Sequence, residues 1–453
     1  MKKYYFDYAA GTPLDPRVEK AMKPYWSEKF GNPGALHWFG QEASAAVFRA
    51  RDTIAKALGC NYREIIFTSS ATESNNLALR GVIKNFKILR FQDCKIENDK
   101  KNNFAISNLQ LAIKPKIIVS AIEHDSILET ARDLERKGVE VIYLPVDKNG
   151  MVDLKKLKES LDERTILVSV MYANNEVGTI EPIFEIAKII SDFKKGKGES
   201  QKSKGKFDNL YPLPPTSYPL FHTDAVQAFN YLNCNVNDLG VDLMTLSAQK
   251  IYGPKGVGLL YVKGLGFRVK GLENQNKKNN LYPNPYTLYP LITGGSQQEY
   301  GLRGGTENVP AIAGFGKAVE LVEQSRQKEN KRLRKLQEYF LAKMKKIAPD
   351  AKLNGSPIGS NRISNNLNFY FLPDRGSGLG SAQDLMIKLD LAGFAVSPGA
   401  ACTARTCRPS HVLKALGYSD ERATGSLRFT FGRPTTKTEV DKLLKVIYNL
   451  LLK

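Results

Sequence analysis

Residues 65–79 read IIFTSSATESNNLAL, an apolar run of β-branched and aromatic residues that passes directly into a helical pattern. Ile65–Thr68 is a strand by composition. Ser70 and Glu73 stand at the S-x-x-E spacing of a capping box, so a helix is predicted to start beside Ala71 and Thr72. The first amides of a helix have no intrahelical acceptor, and a strand feeding such a start is a ready anion site, suited to phosphate; a plain cap reads the same way.

The same alternation recurs outward from this stretch. Further strands are expected at Ile117–Ser120, Val139–Leu144, Thr165–Met171, Leu243–Ser247 and Val257–Val262, with helical patterns at Val47–Leu58, Ser126–Lys137, Leu154–Leu161 and Pro182–Phe193. Strands separated by helices of this length form βαβ units, hence an α/β fold with a mainly parallel sheet covered on both faces. Gly316–Lys346 reads as a long basic helix. The tail adds strands at Leu367–Phe371 and Ser426–Phe431 and helices at Ala382–Leu391 and Thr438–Leu451, a smaller α+β unit. The expected domains are 15–325 (large) and 326–453 (small), joined by segment 1–14. Residues 87–116, 194–219 and 271–290 break the rhythm with Lys/Gly/Ser and Tyr/Pro tracts and read as surface insertions.

The chain has 453 residues, 42% hydrophobic and 25% charged, which excludes general disorder. Its 66 Lys and Arg outnumber its 46 Asp and Glu, for a net +20. The insertions hold nine of those charges and residues 326–350 another six, with no interleaved aromatic pattern for base stacking, so direct nucleic-acid binding is not expected. No apolar stretch is long enough for a membrane helix, and no secretory signal precedes Asp7. Five irregularly spaced cysteines suggest no disulfide framework and no metal site, so a cytoplasmic protein is expected.

Thr72, His124, Asn175, Asp224 and Lys250 each follow an apolar run, the first four separated by 52, 51 and 49 residues. Ligands of open α/β sheets bind beyond the carboxyl ends of strands, so these residues could converge. Asp224, in FHTDAVQ, needs a cationic partner if buried, which a protonated heteroaromatic nitrogen or an arginine would supply. Lys250 lies in a Gly/Pro turn between two strands and suits Schiff-base chemistry; Lys255, in the same turn, competes with it. A phosphate site, a carboxylate, a lysine and a stacking histidine together describe a pyridoxal phosphate pocket.

Ten motifs then carry a resemblance: FDYAAGTPLDPRV, FGNPGALHWFGQEA, EIIFTSSATESNNLAL, EHDSIL, NNEVGTIEPI, HTDAVQ, LSAQKIYGPKGVGLLYV, RGGTENV, GAACTARTCRPSHVLKALG and GSLRFTFGR. In this order they resemble the cysteine desulfurases of the NifS/IscS type, class V aminotransferases of pyridoxal phosphate fold type I, whose large domain is built on a seven-stranded sheet. The resemblance implies that Lys250 binds the cofactor and later moves the Cα proton, that Asp224 pairs with the ring nitrogen, and that Gln227 bonds the ring hydroxyl. It implies that His124 stacks on the ring and that Ala71, Thr72, Ser247 and Gln249 meet the phosphate, Gln249 standing where the family commonly has His. Asn175 and Arg428 would hold the carboxylate of L-cysteine. Thr306 would reach the phosphate of a neighbouring subunit, making a homodimer.

Cys402 would be the nucleophile that takes the sulfur as a persulfide, leaving alanine and handing sulfur to an iron–sulfur scaffold or a tRNA-thiolation protein. Cys407 is an extra thiol five residues on, and Ser70 replaces a usual Gly. His37 is expected near the mouth of the site, His222 in support of Asp224, and His411 in a structural role after the cysteine loop. The rival readings are a selenocysteine lyase, which shares the pocket, and a basic RNA-binding protein that keeps the fold without catalysis.

Overall fold

All strands of the central sheet but one edge strand are buried on both faces, which is why most of them read as continuous apolar runs rather than alternating ones. The computed structural model describes residues 2–98, 114–203, 218–265, 288–295, 298–359, 361–372, 382–398 and 409–451. After a short N-terminal strand β1 (Tyr4–Tyr5), the sheet strands are β2 (Ile65–Thr68), β3 (Lys116–Ser120), β4 (Glu140–Leu144), β5 (Thr165–Ser169), β6 (Leu220–Asp224), β7 (Leu243–Ser247) and β8 (Gly258–Val262). Their order is β2-β8-β7-β6-β5-β3-β4. Only β8 runs against the rest, so the carboxyl ends of the other six share one edge.

Two helices exceed their sequence outlines into the insertions. Ala71–Asn98 continues past residue 87, and Ile183–Ser203 carries on through the Lys/Gly tract from 194, so the first part of each insertion is helix rather than loop. Trp38–Leu58 starts nine residues earlier than the apolar pattern, where His37 caps it by accepting from Gly40 N, and ends at Gly59 with φ 70°.

The helix Val309–Ile347 links the two sheets. Its first half packs on Trp38–Leu58, with Gly316 against Ala50; further along, the Phe340 ring meets Phe429 at 5.3 Å in a tilted contact and Phe431 at 5.7 Å edge-on. Those rings belong to the smaller antiparallel sheet, formed by β9 (Lys352–Leu353), β10 (Asn366–Tyr370), β12 (Ser397–Pro398) and β13 (Ser426–Thr430) in the order β12-β13-β10-β9. Strand β1 pairs in parallel with β11 (Phe394–Ala395), and Asp7 bridges to Thr430, so the first residues lie against the last strand. Among the described residues no helix is long and apolar enough to cross a membrane.

Candidate functional site

The turn after β2 carries the first cluster. The helix does begin at Ala71, and Ser70 Oγ accepts from Glu73 N at 3.2 Å. The reciprocal half of the capping box is displaced by one residue, since Glu73 Oε2 accepts from Ser69 N at 2.8 Å. Glu73 Oε1 accepts from Arg303 Nε at 3.1 Å, tying the turn to the RGGT segment. Ser70 lies outside the left-handed region, so its side chain costs nothing there.

Asp224 ends β6 and is 5% exposed. Its Oδ2 accepts from Asn75 Nδ2 at 2.8 Å and its Oδ1 from Val226 N at 3.0 Å. Among the described residues no lysine, arginine or histidine forms an ion pair with it, so the arginine expected as one option is not there. His222, two residues earlier, is sealed between strands: Nδ1 meets Ser169 Oγ at 2.9 Å and Nε2 meets Thr245 Oγ1 at 3.1 Å. Burial pushes its imidazole down to about 3, so it holds β5, β6 and β7 together as a neutral ring.

His124 caps the helix Asp125–Arg136, and its Nδ1 accepts from Ser126 N at 3.1 Å. A neutral ring bonded in this way carries its proton on Nε2. The neighbouring Glu123 is wholly buried, accepts from Met171 N at 2.6 Å, and is pushed well above the carboxylate range by burial and by the nearby Asp224.

Lys250 follows β7, and its Nζ donates to the carbonyls of Ala9 at 2.9 Å and Ala10 at 2.6 Å. Gln227 Nε2 donates to the same Ala9 oxygen at 2.9 Å. Lys255 is exposed on the far side of the turn, which leaves Lys250 as the amine inside. Arg428, on β13, is 1% exposed; it donates to the Asn175 carbonyl at 3.0 Å and to Asp7 Oδ1 at 2.7 Å, while its Nε finds no acceptor among the described residues.

One cleft of about 940 Å³, counting the part open to solvent, is lined by Ala71, Thr72, His124, Asn175, Asp224, Gln227, Ser247, Gln249, Lys250 and Arg428. Ten sequence-derived candidates therefore converge. Thr306 is exposed before the helix Val309–Ile347 and does not line this cleft, nor does His37. Cys402 and Cys407 lie outside the described residues. Burial pushes the thiols of Cys60 and Cys234 up to about 12, which makes both poor nucleophiles. Among the described residues no group of His, Cys, Asp and Glu is placed to hold a metal ion.

Sequence reasoning missed several lining residues. Ala9 and Ala10 act through backbone carbonyls, which have no side-chain signature. Glu176 and His411 also line the cleft, the latter beyond the structural role expected of it. The one available signal was their place inside the NNEVG and SHVLKALG motifs.

The family model described as aminotransferase class-V matches residues 4–93, 99–196 and 216–443. A cysteine desulfurase IscS of Dictyoglomus turgidum is 42% identical over all of this chain and 95% of its own length. One from Clostridium botulinum is 38% identical over 99% of this chain and 94% of its own. A solved NifS-like protein superposes with a TM-score of 0.76 at 33% identity, covering 99% of both chains. SspA, solved in complex with cysteine, superposes at 0.67 and 31% identity, covering 95% of this chain and 99% of that one.

Proposed function

The chain belongs to the class-V aminotransferase family and is a cysteine desulfurase, and from that premise we propose that it uses pyridoxal phosphate and carries the sulfur of L-cysteine as a persulfide on Cys402. The observation that supports the cofactor most directly is the Asp224 carboxylate, buried, hydrogen-bonded and without a cation among the described residues. A protonated ring nitrogen supplies that missing charge. When bound, the cofactor acts as an electron sink for a bond broken at the substrate Cα.

The chain's own residues do the rest. The Ala71 and Thr72 amides, with Ser247 and Gln249, would hold the phosphate at the helix start. Gln227 would bond the ring hydroxyl, and His124 would lie against the ring and assist proton transfer. Lys250 would hold the cofactor through Nζ and would then serve to move the Cα proton. Asn175 and Arg428 orient the substrate carboxylate; the unsatisfied Nε of Arg428 supports that role. The Cys402 thiolate takes the sulfur: an S–S bond forms as the Cβ–S bond of the substrate breaks, and protonation of the carbon releases alanine.

The enzyme acts in the cytoplasm as a homodimer whose site Thr306 completes from the second copy, with a large domain over 15–325 and a small one over 326–453. Its persulfide passes to an iron–sulfur scaffold or a tRNA-thiolation protein. Purified enzyme given L-cysteine and a reductant should yield alanine and sulfide in equal amounts. Cys402→Ala should cut sulfide output by about a hundredfold or more; full output in that variant removes Cys402 from the role. Lys250→Ala should abolish the visible absorbance of the bound cofactor, and a band that persists assigns the amine elsewhere. Release of selenide from selenocysteine with no sulfide from L-cysteine is the outcome that would favour the lyase reading instead.

A further inference from the structure

Downstream of the cysteine-bearing segment the described chain resumes at Pro409 and enters the short helix His411–Ala415. This helix does not rest on the smaller sheet alone. Val412, Leu413 and Leu416 pack with Ile122, Met171 and Val177, which flank the loops after β3 and β5. Those are the loops that deliver His124 and Asn175 to the cleft.

Two polar contacts fix the junction more closely. Ser410 Oγ donates to Glu176 Oε2 at 2.5 Å, while also capping its own helix by accepting from Leu413 N at 3.2 Å. His411 Nε2 lies 2.9 Å from the Glu123 carbonyl, to which it can only donate. Glu176 is 1% exposed and is itself fixed from both sides: its N–H donates to Asn174 Oδ1 at 2.9 Å, and its carbonyl accepts from Asn368 Nδ2 at 3.2 Å. Each anchor therefore joins the start of this helix to a residue adjacent to a cleft residue: Glu176 to Asn175, Glu123 to His124.

We propose that Glu176 and His411 are positioning residues for sulfur transfer, anchoring the downstream root of the cysteine-bearing segment to the rim of the cleft through the Ser410–Glu176 and His411–Glu123 contacts. The inference rests on Cys402 being the sulfur-accepting thiol. Eight residues separate Cys402 from Ser410. At about 3.3–3.6 Å per residue the thiol stays within about 29 Å of the anchor. A fixed root makes its encounter with the substrate sulfur intramolecular and geometrically limited, and misplacement by about 1 Å can cost about a hundredfold in rate. The anchors bear on sulfur transfer because both join the cleft rim to the start of the helix that follows Cys402 in the chain.

The test uses the holoenzyme mixed with L-cysteine in a single turnover. Two events are followed: the change in cofactor absorbance on substrate binding, and persulfide formation read by thiol labelling and mass. Glu176→Ala and His411→Ala should keep the cofactor band and the L-cysteine KM within about threefold, while persulfide formation slows by about 10- to 100-fold. Glu176→Gln still accepts from Ser410, and His411→Gln still donates to the Glu123 carbonyl. Both should recover most of the rate, which also guards against an alanine variant that merely folds poorly. The proposal is overturned if the alanine variants form persulfide at the normal rate. It is equally overturned if the loss appears first in cofactor or cysteine binding, or if the glutamine variants are as slow as the alanine ones. Cys402→Ala run alongside separates the two readings: persulfide forming on another residue there sinks the nucleophile assignment, whatever the anchor variants do.

Discussion

At Gly258 strand β8 passes beneath the turn at Ser70 and Ala71 so closely that an added Cβ would lie 2.5 Å from the Ser70 carbonyl carbon and 2.8 Å from Ala71 N. Both obstacles are backbone, so the turn itself would have to move. Gly258→Ala should lower stability by about 1–3 kcal/mol and weaken cofactor binding by about tenfold, read by titrating apoenzyme with pyridoxal phosphate. Unchanged affinity would remove this turn from the phosphate cradle. Nothing in the run GVGLLYV marks that closeness, because it is a contact across nearly 190 residues of chain. Side chains at or just beyond the carboxyl ends of strands, such as Asp224 and Lys250, were legible because the parallel strands send every such end to one edge. The carbonyls of Ala9 and Ala10 were not, since any residue presents the same oxygen.

At the scale of elements, strands with aliphatic residues throughout were plain in the sequence, whereas β6 was visible only as an extended segment ending at Asp224. It is as buried as its neighbours, yet it contains His222, Thr223 and Asp224. These polar groups find partners in Ser169, Thr245, the Val170 carbonyl and Asn75, so tertiary pairing rather than composition makes it a strand. Gly316 in the helix Val309–Ile347 presents a contest between two effects. Alanine is favoured over glycine in a helix by about 1 kcal/mol. An added Cβ at this position, however, would meet the Cα and Cβ of Ala50 at 2.8 Å. Overpacking costs about 1–3 kcal/mol, so Gly316→Ala should destabilise despite its better propensity. Urea denaturation decides: a midpoint at or above that of the parent would show that the two helices can separate freely.

At the scale of the whole molecule, several carboxyl groups lie inside the fold while lysines crowd the exposed face of the long helix. Exposed lysines such as Lys328, Lys331 and Lys335 of the long helix contribute to the net +20. The interior holds Glu123, Glu176 and Glu181, each pushed upward by burial. Glu181 is 2% exposed, accepts from Val152 N at 3.0 Å, and is pushed up to about 8. The folded state thus keeps a proton that the unfolded chain releases near 4.5, and the associated stability is present below that value and lost as pH rises through 8. His222 works in the other sense, losing stability as pH falls from 6.5 toward 3. Glu181→Gln should hold its stability between pH 5 and 8 better than the parent, by on the order of 4 kcal/mol. Parallel urea curves at the two pH values for both proteins would contradict this.

The pairing of the first residues with the last strand has a consequence for synthesis. Asp7 bonds Arg428, and Ala9 N donates to Thr430 Oγ1 at 3.0 Å, contacts that span 421 residues. The segment whose carbonyls hold Lys250 is therefore held in part by β13, far along the chain from it. A nascent chain can build its central sheet early, but the contacts of this segment with Arg428 and Thr430 form only after residue 430 has emerged. A chain stopped short of β13 would keep its central sheet, while the residues whose carbonyls face Lys250 would lose these two anchors.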